Sequence, residues 1–245
     1  MGRRLLVCGV PASGKTYCLS GLQDHEKVLF LNCESAKGMD LPFRNKFKKK
    51  LITEPLGQII GDNSYFKALL AKPEAFETVV VDSLTFLMDM FETKYVNTSS
   101  NTMQAWGAYA DFFKTLMQQE TALVPQNVIF TAHTSDVFND KESVMETKVK
   151  IKGSVMNIGV EAFFNNIVYA KKVPLRTLEN YQNDNLHITE TDELLGYKHV
   201  LQTRLTKDTI NEKIRSNDDM WNVNETYIDG NVQLVLNRLN EYYGD

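Results

Sequence analysis

Apolar positions in this chain fall into short unbroken runs separated by segments in which they recur every three or four residues. Leu5-Leu6-Val7-Cys8, Val28-Leu29-Phe30-Leu31, Thr78-Val79-Val80-Val81 and Val128-Ile129-Phe130-Thr131-Ala132 are too short for helices and carry no polar face. Runs of that kind predict strands covered on both sides, as in parallel sheets. Asn166-Ile167-Val168-Tyr169-Ala170 and the stretch 197–205 add two further strand candidates. Met103, Trp106, Ala110, Phe113 and Met117 instead follow helical spacing, as do Val232, Val235, Leu236, Leu239 and Tyr242, predicting amphipathic helices packed on the sheet. Residues 63–70 also read as helix. In the stretch 43–50, Phe43 and Phe47 interrupt Arg44, Lys46, Lys48, Lys49 and Lys50, which reads as a solvated helix face with two apolar anchors. Strands alternating with helices give an α/β fold: a mostly parallel twisted sheet flanked by helices.

Two polar stretches break this rhythm. Residues 97–101, Asn-Thr-Ser-Ser-Asn, read as a mobile loop. Residues 135–152 mix charges of both signs with few large apolar side chains, and an irregular segment of that length in a compact domain is usually functional or disordered. Within it, Lys148-Val149-Lys150-Ile151-Lys152 alternates with period two. Its three lysines could then share one face of a short strand, either contacting phosphates or protecting a sheet edge.

The chain has 245 residues, 43% of them hydrophobic, enough for a core without covalent staples. No repeat, linker or second hydrophobic block appears. The expectation is a single domain over 1–245, with a core of about 3–172 and C-terminal strands and helix in 173–245. Cys8, Cys18 and Cys33 lack the spacing of a zinc site or disulfide framework and read as small buried thiols. With no signal-like N-terminus and no run of membrane-spanning length, a soluble cytoplasmic protein without membrane association is expected. Net charge is −4, so any nucleic acid must be held by a local basic patch.

The chemistry concentrates after the first strand. Gly9-Val10-Pro11-Ala12-Ser13-Gly14-Lys15-Thr16 fits G-x-x-x-x-G-K-[ST], between an apolar run and a plausible helix through Tyr17, Cys18 and Leu19. Glycines let successive N–H groups approach one phosphate, Lys15 neutralises charge, the Thr16 hydroxyl can ligate Mg²⁺, and Tyr17 lies next to the cradle. Asp82 ends a β-branched strand as a Walker B aspartate does, holding Mg²⁺ opposite Thr16, although it could also cap the helix beginning at Leu84. Ser83 follows, where many P-loop ATPases place a second carboxylate. Glu34, at the tip of the second strand, is then the candidate to activate water, its alternative being a solvated loop carboxylate. His133, after the Val128 strand, is placed to touch a γ-phosphate; a lone histidine there could equally be structural.

In this order the parts resemble the RecA-like ATPases: the P-loop, a strand tipped by Glu34, Val80-Val81-Asp82-Ser83, and Val128-Ile129-Phe130 ending at His133. The resemblance spans about residues 3–172. It implies catalysis by Lys15, Glu34 and His133 on ATP with Mg²⁺, His133 standing where the family usually carries a glutamine sensor. It also implies that the loops at about 92–103 and 135–152 bind single-stranded DNA, which brings in Lys141, Lys148, Lys150 and Lys152. Arg204 and Lys207 are similar in placement to basic residues that reach a neighbouring subunit's nucleotide. With its first core strand so close to Met1 and a terminal helix near Tyr-Tyr-Gly, the chain looks most like the minimal single-domain RecA-like proteins of bacteriophages, which act in single-strand annealing and recombination. The resemblance therefore implies a DNA-dependent ATPase in the host cytoplasm, forming a homo-oligomeric ring or filament, with a single-strand-binding protein as a further candidate partner. Two other classes compete. A P-loop kinase of a nucleoside, nucleotide or small metabolite would need Arg176, Arg204 and Arg215 arranged as a lid. A nucleotide-switched binding module would need no water-activating carboxylate at all.

Overall fold

The computed structural model describes residues 2–34 and 40–244. Among them nine strands form one sheet: β1 (Arg4–Gly9), β2 (Val28–Asn32), β3 (Lys48–Leu51), β4 (Thr78–Asp82), β5 (Asn127–Asn139), β6 (Val144–Val149), β7 (Asn166–Pro174), β8 (Tyr197–Gln202) and β9 (Tyr227–Asp229). Their lateral order is β3-β2-β4-β5-β1-β7-β8-β9, with β6 pairing to β5 off this path. Neighbours from β3 through β7 are parallel, while β7–β8, β8–β9 and β5–β6 are antiparallel. The fold is thus the mostly parallel, helix-flanked sheet that the apolar runs predict.

Period two explains why those runs are continuous. On one face Leu5, Val7, Phe30, Val80 and Ile129 pack with Leu19, Trp221, Val235, Leu236 and Leu239. On the other, Leu6, Cys8, Leu31, Val79, Val81 and Phe130 pack with Leu84, Leu87, Phe91 and Phe113. Each fully buried aliphatic or aromatic side chain contributes roughly 1.5–3 kcal/mol, so both faces of the central strands must be apolar. The covering helices start on side-chain caps. Ser64, Ser83, Asn101 and Asn231 accept main-chain N–H groups at the starts of the helices Tyr65–Ala71, Leu84–Phe91, Thr102–Thr115 and Val232–Tyr243. The polar stretch 97–101 is therefore the turn that caps the helix over Trp106. Among the described residues no helix is long and apolar enough to cross a membrane.

Three expectations are corrected. The basic stretch 43–50 is not a helix: it ends in the edge strand β3, which pairs with β2, and buried Phe47 stacks on Phe30 with ring centroids 6.1 Å apart. A spacing of four positions suits one face of a helix and one face of an extended chain equally, and the exposed Lys48 and Lys50 decorate the sheet edge. The stretch 135–152 is not irregular, because β5 continues for 13 residues and turns back as β6. The segment after the P-loop is a 3-10 helix of only five residues, Tyr17–Gly21. A Cβ on Gly21 would stand 1.9 Å from Asn231 Oδ1, so the cap of the C-terminal helix packs against the point where this turn stops.

Candidate nucleotide-binding site

The phosphate loop leaves β1 through backbone that side chains disfavour. Gly14 has φ +100° and Ala12 φ 59°, and a Cβ on Gly9 would lie 2.5 Å from Ser13 Oγ and 2.7 Å from the Ala170 carbonyl. Ser13 N donates to Val10 O at 3.2 Å, closing the loop into a compact turn. Lys15 is 5% exposed, and its ammonium donates to the Val10 carbonyl at 2.8 Å. Successive main-chain N–H groups in such a turn form an anion-binding concavity. Because the following helix is so short, these local N–H groups and Lys15 supply the positive field, and a long helix dipole does not.

Sheet register sets the opposite wall. Asn32 is paired with Asp82, and Gly9 with His133, so the ends of β2, β4, β1 and the parallel part of β5 are level. The Thr16 hydroxyl lies 3.2 and 3.4 Å from the two Asp82 oxygens, and Thr131 Oγ1 donates to Asp82 Oδ1. Glu34 stands two positions beyond the end of β2; its N–H donates to Asn32 Oδ1 at 2.8 Å, fixing the turn that aims its carboxylate. Glu34 Oε1 meets His133 Nε2 at 3.5 Å. His133 is itself anchored by its N–H, which donates to Thr85 Oγ1 at 2.9 Å, and by the edge-on ring of Phe86. Thr16, Asn32, Glu34 and Asp82 line one cavity of about 360 Å³. Glu34 and Asp82 are 5% and 3% exposed, and burying carboxylates so deeply is costly without partners, which marks the cluster as a built site.

These donors fit Mg²⁺. Thr16 and Asp82 offer two adjacent oxygen ligands, the number such an ion takes from protein when phosphates and water complete its shell. When bound, the ion neutralises charge on the phosphate oxygens.

The structure thus gathers the loop residues Gly9 through Tyr17 with Glu34, Asp82 and His133. The predicted DNA and intersubunit residues stand elsewhere and separately. Lys148, Lys150 and Lys152 do not share a strand face, since β6 ends at Val149. Lys148 pairs with Glu146, and Lys152 with Glu92 at 2.8 Å, a hydrogen bond that raises the Lys152 ammonium above its usual range. Lys150 is exposed, and its N–H donates to the His133 carbonyl at 2.8 Å. Lys141 is exposed at the hairpin turn. Arg204 spends its guanidinium on the carbonyls of Asp218 and Trp221, at 2.9 and 2.8 Å, while Lys207 is exposed in a loop. His133 lies not at a strand tip but inside β5, where parallel pairing gives way to the hairpin. Cys8, Cys18 and Cys33 are free and buried, and burial pushes each thiol upward, away from a nucleophile's range.

Sequence reasoning misses four contributors. Asn32, Thr131 and Thr85 are polar residues within or beside apolar runs, a legible signal of inward-facing hydrogen bonds. His199, which touches the P-loop from β8, leaves no local mark.

No curated protein matches the chain. A family model described as an AAA domain matches residues 1–203, a span that holds the P-loop, Glu34, Asp82, His133 and β8. With that match and the level strand ends around the phosphate loop, this chain belongs to the AAA domain family and is a nucleotide-binding P-loop ATPase.

Proposed function

We propose that this protein is a RecA-like ATPase that binds single-stranded DNA and promotes strand annealing or recombination. One observation carries the reading: His133, in contact with Glu34, sits on the strand that runs without a break into the β5–β6 hairpin. A change at the phosphate end of β5 is therefore transmitted along a rigid element to an exposed surface. That surface has Phe138, 54% exposed, and Lys141 at its turn, an aromatic face and a cation of the kind that take bases and phosphates of a single strand.

Lys15 stabilises charge on the transferred phosphoryl group. Glu34 orients the attacking water and accepts its proton, a role worth about 10²–10⁴-fold in rate. His133, whose Nε2 can donate, exchanges its contact with Glu34 for one with a phosphate oxygen and so reports the triphosphate to the hairpin. Of the two intersubunit candidates, exposed Lys207 is the better placed to reach a second copy.

The test is ATP hydrolysis with and without single-stranded DNA at two salt concentrations. Stimulation by DNA, with affinity falling steeply as salt rises, supports the proposal, because phosphate contacts release counterions. Turnover indifferent to DNA, and affinity indifferent to nucleotide, would contradict it. Transfer of labelled phosphate to a nucleoside instead of water would point to a kinase.

A further inference from the structure

We infer that His199 is a positioning residue that sets the orientation of the Ser13–Gly14 peptide in the phosphate loop. The inference rests on the nucleotide-binding reading of that loop and not on DNA binding. His199 lies on β8, whose antiparallel pairing to β7 sets it opposite Lys172 and brings its ring over the P-loop. Nδ1 is 2.9 Å from the Ser13 carbonyl oxygen. A carbonyl oxygen only accepts, so Nδ1 must carry the proton.

The consequence follows from peptide geometry. Among the described residues the one cis peptide is Asp82–Ser83, so Ser13–Gly14 is trans and planar. In a trans unit the C=O and the next N–H point in opposite directions. Drawing the Ser13 carbonyl toward His199 therefore aims the Gly14 N–H away from β8, and no backbone acceptor within the loop takes that N–H. It stands as a phosphate donor oriented in advance of binding, where a mobile peptide would have to be ordered at that moment. The contact is also close: a Cβ on Gly14 would stand 3.0 Å from Nδ1, so Gly14 is required by the ring as well as by its φ of +100°. Gly230 packs under the His199 carbonyl in the same way, a Cβ there falling 3.0 Å from that oxygen, which fixes the strand that carries the ring.

The experiment compares H199N and H199Q with wild-type protein, measuring MgADP affinity by calorimetric titration and the melting temperature without nucleotide. The amide nitrogen of asparagine falls where Nδ1 lies, and that of glutamine where Nε2 lies. The expected result is H199N within about twofold of wild type and H199Q weaker by about three- to tenfold, the worth of one hydrogen bond, at similar melting temperatures. H199Q binding MgADP as tightly as wild type overturns the inference. So do equal losses in both variants that follow their melting temperatures, the mark of a merely structural histidine. Wild-type protein that binds no MgADP would instead overturn the nucleotide-binding reading itself.

Discussion

Glu34 Oε1 and His133 Nε2 lie 3.5 Å apart although their strands, β2 and β5, are separated by β4. The contact spans β4, and Glu34 lines one cavity with Asp82 and Thr16. The proposed base Glu34, the proposed sensor His133 and the oxygens of Asp82 and Thr16 that could hold Mg²⁺ therefore lie at one end of the sheet, beside the P-loop.

Thr16→Ala and Asp82→Asn should separate metal from phosphate binding. Thr16→Ala removes the hydroxyl and Asp82→Asn replaces a charged carboxylate with a neutral amide that keeps one oxygen, while Lys15 and the loop N–H groups remain. Nucleotide affinity in Mg²⁺ is expected to fall by about tenfold, on the order of one metal–oxygen or charged hydrogen-bond contact, and affinity in EDTA to stay near that of wild type. Titration of both variants under the two conditions checks this.

Arg204 is expected to behave as a structural residue. Its two bonds to the carbonyls of Asp218 and Trp221 tie the loop after β8 to the segment preceding β9. Arg204→Ala should cost about 1.5–3 kcal/mol in denaturant unfolding while leaving the turnover of the folded protein unchanged, since the bonds lost are charge-assisted and within the chain. Loss of turnover with full stability would instead assign it to a neighbouring site.

The hairpin carries its own pH signature. Hydrogen bonds from Lys148 and Asn139 hold the Glu146 carboxyl down at about 2, below the range near 4.3 of an unfolded glutamate. A group depressed in the folded state stabilises it fully above its unfolded value and loses that contribution as pH falls through the folded one. The melting-temperature advantage of wild type over Glu146→Gln should thus be constant above about pH 5 and shrink between about pH 4.3 and 2. An advantage that grows on acidification would contradict this sign.

The central strands were legible because both faces of the sheet are covered, which leaves unbroken apolar runs at Leu5, Val28, Val79 and Val128. The gathering of the site residues at one end of the sheet was legible, Lys15 and Thr16 from the phosphate-loop motif and Glu34 and Asp82 from their places at the carboxyl ends of strands, whereas His133 was expected at a strand end and lies inside β5. What failed was decided by pairings that the spacing of residue types does not show. Phe43 and Phe47 have helical spacing, but Phe47 stacks on Phe30 of β2 and the chain enters the sheet edge at Lys48. Residues 135–152 look irregular because a two-stranded hairpin standing off the sheet has no continuous apolar face to announce it. Lys148, Lys152 and Arg204 found partners within the chain, and spacing does not reveal partners. His199 reaches Ser13 across 186 positions, a contact created only by the pairing of β8 with β7.

Glu34 is the proposed water-activating group because the residue directly after Asp82 is Ser83, not a second carboxylate. The most direct test is phosphate release at saturating MgATP by wild type and Glu34→Gln, with nucleotide affinity measured on both. The prediction is a loss of turnover of about 100-fold or more with affinity kept within a few-fold, as removal of a general base requires. A glutamine variant that hydrolyses ATP at the wild-type rate would contradict it.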